Sequence, residues 1–331
     1  MKFKNLYNLK INKALIILIF LGLSTALCFA QNPINISIAK FKDNKTAAIS
    51  YTFDDGLKEH YTLVTPWLKK LGLKATFVVN GSNINKDNKN IKDSTRMTWQ
   101  DVKEMAAQGQ EISNHGWAHK NFGRFPMAEI KEDILKNDSA IFFNIGIMPR
   151  TFAYPNNTKS KDGVQFASQN RVGTRLFQRS IGGKSTHQNL EEWVNKLIAD
   201  KDWGVGMTHG ITYGYDHFSN SDILWEHLKK VKTMENQIWV GTFKDVMAYV
   251  TERDSTILQI QQLQNGNYRI TPICKLDQTI YTEPLTAILM INQAKKVNIK
   301  QGNKKLKTTK NLDHVLFNFD PFGGMIEVIV N

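Results

Sequence analysis

Cysteine is almost missing from this chain of 331 residues, which has two, Cys28 and Cys274. Small exported scaffolds that depend on several disulfides are therefore excluded, and the fold must rest on a hydrophobic core. Long apolar runs are missing too. The one nearly unbroken run, residues 14–23, is shorter than the roughly 20 residues that a membrane-spanning helix needs. No low-complexity tract and no internal repeat occurs, which removes the disordered and solenoid classes. A nucleic-acid-binding motif is also lacking, although Lys and Arg outnumber Asp and Glu by 43 to 30.

What is present begins with a leader. Lys2, Lys4, Lys10 and Lys13 precede the apolar run, and compact residues follow it to Cys28-Phe29-Ala30, just before Gln31. This layout predicts a secretory signal peptide over residues 1–30 and an exported protein, periplasmic or extracellular, with no stable membrane span after cleavage. An uncleaved N-terminal anchor is the other reading; the bulky Leu27 ahead of Cys28 argues against a lipoprotein anchor. Cleavage leaves Cys274 as the only cysteine, so no internal disulfide is expected. It also removes four lysines and no acid, lowering the formal charge from +13 to about +9. The remaining lysines are scattered, densest at Lys304, Lys305, Lys307 and Lys310, and read mostly as a solvated face.

From Lys45 onward short β-like runs alternate with amphipathic stretches. Strands are expected over residues 47–53, 75–80, 111–114, 151–154, 172–177, 205–209 and 238–242. Helices are expected over 57–71, 98–107, 127–143, 163–169, 190–200, 222–234 and 243–253, with Thr98 as an N-cap and Gly109 as a stop. About seven βα units in series predict an α/β architecture, a distorted parallel (β/α) barrel over residues 31–254. After Arg253 the pattern changes. Alternating runs at 257–263, 268–273, 285–291, 297–301, 315–319 and 325–330 are separated by Gly-containing turns, such as Asn265-Gly266 and Phe322-Gly323-Gly324. They predict a small antiparallel β-sandwich domain over residues 255–331.

Parallel barrels carry their chemistry at the C-terminal ends of the strands. Polar residues fall there repeatedly: Asp54 and Asp55, His115, Tyr154-Pro155, Arg179 and His209. Two adjacent carboxylates ending an apolar strand are costly unless a charge meets them, although an Asp-Asp-Gly turn can also simply cap the next helix. His115 and His119, spaced i, i+4, would share one face of a helical turn and can reach one cation. With one carboxylate they supply two nitrogens and an oxygen, leaving positions open as a catalytic zinc site requires. No serine elbow is visible.

Thr52-Phe53-Asp54-Asp55-Gly56 and His115-Gly116-Trp117-Ala118-His119, in this order and at this separation, resemble the polysaccharide deacetylases of the NodB-homology type (carbohydrate esterase family 4) over residues 45–253. Phe152-Ala153-Tyr154-Pro155, Thr208-His209-Gly210 and Trp239-Val240-Gly241-Thr242-Phe243 are similar to further family segments. The resemblance implies a metal-dependent hydrolase that removes N- or O-linked acetyl groups from a polysaccharide or oligosaccharide. It implies Asp54 as general base, and Asp55, His115 and His119 as ligands of a divalent metal, zinc first among the candidates. It also implies His209 as general acid and the backbone N–H of Tyr154 as an oxyanion donor. The implied partner is an acetylated carbohydrate, with N-acetylglucosamine polymers, peptidoglycan and acetylated xylan all open.

The chain departs from the family pattern at several places. Gly116 stands where the family commonly has Ser or Thr after the first ligand histidine. Ala153 stands where many members have an arginine that orients the base; Arg179, with Arg175 as the second choice, is expected to supply that charge from the next strand. Asn156-Asn157 replaces a glycine that often follows the proline by one residue. Asp202-Trp203 resembles a family acid–tryptophan pair at loose spacing, and Trp203 reads as core. Residues 214–218 read equally as a sugar-facing wall or as a packed loop, and His60, His187, His227 and His314 as structural histidines. Two other classes stay open: a carbohydrate-binding protein with a degenerate deacetylase domain, and a metal hydrolase of a non-sugar amide.

Overall fold

Every residue of the strand Ala47–Asp54 is buried, which is what a near-continuous apolar run with helices outside and a filled barrel inside demands. Its odd positions, Ala47, Ile49, Tyr51 and Phe53, join the main core with Val64, Leu68, Leu190, Trp193 and Leu224 from the surrounding helices. Its even positions are Ala48, Ser50, Thr52 and Asp54, small or polar, and by the two-residue period of a strand they face the barrel interior. The computed structural model describes residues 34–330 except 86, 89, 90, 93, 94, 264 and 292–295. The leader read over residues 1–30, Cys28 included, lies outside the described residues.

Seven parallel strands neighbour one another in the order Gly173–Arg175, Thr151–Ala153, Glu111–Asn114, Thr76–Val79, Ala47–Asp54, Trp203–Thr208 and Arg179–Ser180. An eighth, Ile238–Val240, pairs with the first half of Ala47–Asp54. The two outermost strands, Gly173–Arg175 and Arg179–Ser180, are separated by only three residues of chain, so the sheet must curl until its edges meet. One extended segment thus bridges the gap, pairing first with Thr151–Ala153 and then with Trp203–Thr208. All seven expected strands form; Arg179–Ser180 is an addition. The distorted parallel barrel is the observed fold.

The helices follow their sequence signals. Thr98 caps Trp99–Ala107 with a reciprocal capping box, its hydroxyl accepting from Asp101 N and the Asp101 carboxylate accepting from Thr98 N. The stretch expected as one helix over 57–71 is broken into a π-helical turn, His60–Val64, and an α-helix, Thr65–Leu71, that stops at the left-handed Gly72. Among the described residues no helix is long and apolar enough to cross a membrane.

The C-terminal part forms two antiparallel sheets. One has the order Ile36–Ile38, Leu285–Met290, His314–Phe319, Thr308–Lys310. The other runs Thr256–Gln262, Tyr268–Cys274, Ile326–Val330, Val297–Gln301, Lys304–Lys305. Alternate residues are buried in both, Leu285, Ala287 and Leu289 in the first sheet and Ile326 and Val328 in the second, giving each sheet one inward face. Ile36–Ile38, which the division at residue 254 assigns to the barrel, instead pairs with Leu285–Met290.

The last barrel helix, Phe243–Ser255, meets these sheets at Glu252, which is fully buried and accepts from Glu283 N at 3.0 and 3.1 Å. Burial, with the charge of Glu283 adding to it, pushes the Glu252 carboxyl from 4.5 up to about 8. A group raised in this way contributes stability that is complete below its usual pKa and is lost as pH rises through 8. Glu252→Gln stays neutral and keeps an acceptor for Glu283. Its unfolding free energy from urea titration is therefore expected to match the parent near pH 4.5 and to exceed it above pH 8, by about 1–3 kcal/mol.

Candidate active site

The expected ligands converge at the C-terminal rim. Asp55 Oδ1 is 3.7 Å from both His115 Nε2 and His119 Nε2, and the three donor atoms all lie within 4.8 Å of one another. A tetrahedral zinc with ordinary bond lengths would place its ligand atoms roughly 3.4 Å apart, so this donor set fits a small divalent cation. His115 Nδ1 donates to Ala153 O at 2.8 Å, which puts the proton on that nitrogen and turns the Nε2 lone pair to the cluster. Burial, opposed by the charges of Asp54 and Asp55, lowers the His115 pKa to about 4, so the ring is neutral near pH 7.

The His115–His119 pair does not lie on a helical turn. The segment is a loop in which Gly116 has φ +72° and His119 φ +55°, and the two rings meet edge to face at 4.7 Å. Asp55 is also left-handed at φ +77°, so two of the three expected ligands hold a backbone conformation that non-glycine residues seldom adopt. Hydrogen bonds compensate. Arg96 Nη1 donates to Asp55 O at 2.7 Å, and Asp133 Oδ1 accepts from Ala118 N at 2.7 Å. Asn114 Oδ1 accepts from both Gly116 N and Asn137 Nδ2, tying the ligand loop to the helix Met127–Ile145.

That packing explains the glycine at 116. A Cβ there would run into Asp133 Oδ2, and the positive φ would add strain. The carboxylate of Asp133 stands where a side chain would project. Gly116→Ala is expected to cost about 1–2 kcal/mol in stability and about ten- to a hundredfold in metal affinity, read by thermal unfolding and metal titration.

Asp54 is 2% exposed and is gripped by Arg175, whose Nη1 donates to Oδ1 at 2.8 Å and Nη2 to Oδ2 at 2.5 Å. Burial pushes this carboxyl up, but the charge and hydrogen bonds of Arg175 outweigh it and hold the pKa at about 2. Arg175 lies beside Ala153 in the strand register, so the neighbouring strand supplies at the same level the guanidinium that Ala153 lacks.

The expectation for Arg179 is corrected. Its Nη2 donates to Asn189 O at 3.1 Å and its guanidinium lies over Trp193, pointing toward the helices rather than at Asp54. The strand stops at Arg175, with Leu176 and Phe177 exposed, two residues before the expected end.

Tyr154 follows the strand Thr151–Ala153 with its ring buried and its hydroxyl donating to Thr174 Oγ1 at 2.9 Å, so only its backbone faces the site. The hydrogen bond from His115 to Ala153 O fixes the plane of the peptide that carries the Tyr154 N–H. Asn156 and Asn157 take φ +53° and +55°; asparagine tolerates that region, which accounts for the missing glycine.

His209 follows Trp203–Thr208 at the rim, half-buried, with its Nδ1 buried and without a partner among the described residues. Asp202 and Trp203 begin the same strand, some 20 Å away at strand spacing, and cannot reach it. Asp202 Oδ1 accepts from Trp203 N, while Trp203 packs on Phe243 and donates to Ser50 Oγ, as a core residue does. The loop 214–218 is packed at one end and open at the other. Phe218 is buried, whereas Tyr215 is 76% exposed with its ring centred 4.9 Å from that of His209.

Three of the four histidines read as structural have partners of that kind. His187 lies 3.6 Å from Glu226, His227 meets the Tyr51 hydroxyl at 2.8 Å, and His314 meets Asp313 at 2.7 Å. His60 differs, because it is fully buried beneath the site and its Nε2 donates to His209 O at 2.7 Å. Its partner is 149 positions away, a contact that no local pattern announces.

A family model described as polysaccharide deacetylase matches residues 41–174, a segment that includes Asp54, Asp55, His115, His119 and Tyr154. The peptidoglycan-N-acetylglucosamine deacetylase PgdA of Listeria monocytogenes is 30% identical over 176 residues, covering 52% of this chain and 32% of that protein. A gellan lyase of a Bacillus species is 20% identical over 295 residues, 78% of this chain and 11% of the other. The chain thus spans a third or less of the length of these curated relatives. A family 4 acetyl xylan esterase from Clostridium thermocellum, solved with a cobalt ion, is 22% identical at a TM-score of 0.47, covering 60% of this chain and 89% of that one. The segment that carries the carboxylate pair and both histidines is thus the part of the chain that is similar to polysaccharide deacetylases.

Proposed function

We propose that the protein is a metal-dependent hydrolase that removes acetyl groups from a carbohydrate outside the cytoplasm. The observation that carries this reading is the meeting of Asp55, His115 and His119 around one point, beside a carboxylate that Arg175 keeps ionised. Export rests on the leader read over residues 1–30, and zinc on the two-imidazole, one-carboxylate donor set.

When bound, a divalent cation supplies Lewis acidity and a water acidic enough to attack near neutral pH. Asp54 has the task of taking the proton from that water. Both its oxygens are bonded to Arg175, yet an ionised carboxylate has about four acceptor positions, so sites for a proton remain. The Tyr154 N–H is proposed to stabilise the negative charge that develops on the acetyl oxygen. His209 gives a proton to the departing sugar nitrogen or oxygen as the bond to the acetyl carbon breaks, and acetate leaves. Tyr215, exposed beside His209, offers an aromatic face to a sugar ring.

The test is acetate release from a panel of N-acetylglucosamine oligomers, peptidoglycan fragments and acetylated xylan. Release from at least one is expected. Glycan binding without release would favour a binding protein, and activity confined to small amides a non-sugar amidase.

A further inference from the structure

The ring of His209 is not oriented by a carboxylate, since its Nδ1 is buried without a partner among the described residues. Its position must come through its backbone. Two consecutive buried residues hold that backbone. His60 Nε2 donates to His209 O at 2.7 Å. The Glu59 carboxylate, 2% exposed, accepts from Ile211 N, from Thr212 N at 2.9 Å and from Thr212 Oγ1 at 2.8 Å.

Glu59 therefore spends its charge on donors of a single loop, the segment that follows His209 directly. Gly210 completes the fit, because a Cβ there would collide with Tyr213 O, and its N–H donates to Tyr215 O at 3.1 Å. Glu59 and His60 come only four and five residues after Asp55, at the entry to the π-helical turn His60–Val64, a distortion frequent at functional sites. One short segment after the first barrel strand thus holds the loop that follows its neighbouring strand, Trp203–Thr208.

We propose that Glu59 and His60 are positioning residues for His209, fixing its place through the 209–212 backbone, which Asp202 and Trp203 do not reach. The proposal rests on the reading of His209 as general acid. A misplaced acid should hurt only those reactions whose leaving group needs a proton.

The experiment compares the parent, Glu59→Gln and the milder Thr212→Val on two substrates: an N-acetylated sugar that the parent hydrolyses, and an aryl acetate whose phenolate departs unprotonated. Glu59→Gln is expected to lose about tenfold or more in kcat on the sugar, with KM and metal content little changed and the aryl acetate rate within about threefold. Thr212→Val should show the same pattern with a smaller loss. Equal losses on both substrates would overturn the proposal.

A second readout needs no turnover. The His209 Cε1–Hε1 resonance should shift or broaden in Glu59→Gln while that of His187 stays in place; an unmoved His209 signal also overturns the proposal. If the parent releases acetate from no sugar, the deacetylase reading fails by itself and this resonance still decides the positioning role.

Discussion

Asp54→Asn is expected to lower acetate release by about a hundred- to ten-thousandfold while metal content stays at the parent value. The amide keeps the shape of the carboxylate and can still accept one hydrogen bond from Arg175, but it cannot take a proton from water near neutral pH. Asp55, His115 and His119 make no hydrogen bond or ion pair through Asp54, so the donor set should survive. Stability should fall, because Arg175 is buried and loses its counter-charge. The check is acetate release together with metal analysis on the same preparation. Unchanged turnover would remove Asp54 from the role of base; lost metal would mean that the pair Asp54–Arg175 builds the ligand set.

Arg175→Met and Arg179→Met should separate sharply. Arg175→Met strands Asp54 as a buried, unpaired carboxylate, and removing one partner of such a pair costs about 3–5 kcal/mol. The sign against pH is fixed by the depressed pKa of Asp54. Held at about 2 instead of 3.8, Asp54 contributes stability that is present above its usual pKa and is lost as pH falls toward 2. Without Arg175, burial alone pushes that carboxyl upward, so the acid limb of the rate profile should move to higher pH and turnover at neutral pH should fall. Arg179→Met loses a contact with Trp193 and a bond to Asn189, and should leave the acid limb in place. Unfolding curves and pH–rate profiles of both variants check this; a larger shift from Arg179→Met would contradict the assignment.

The two arginines show where sequence reasoning stopped. Val172, Leu176 and Phe177 make residues 172–177 read as one apolar strand, which places its rim at Arg179. The chain instead leaves its first partner at Arg175 and crosses to the other edge of the barrel, a switch set by closure of the sheet and invisible to a two-residue period. The i, i+4 spacing of His115 and His119 foretold that the two rings would meet but not the loop that presents them, because the geometry depends on Asp133 filling the space beside Gly116. Buried strands, capped helices and the carboxylate–histidine set were legible because each is local or carried by a motif. The contacts of Glu59 and His60 with the His209 loop were not, because they join residues about 150 positions apart.

The most direct test of the account is metal removal and return on the unmodified protein. Chelation followed by dialysis should abolish acetate release without unfolding the barrel, since the core of the strand Ala47–Asp54 does not depend on the ligand set. Adding zinc back should restore release in proportion to metal bound, saturating at one ion per chain. Acetate release that persists in metal-free protein would contradict the account.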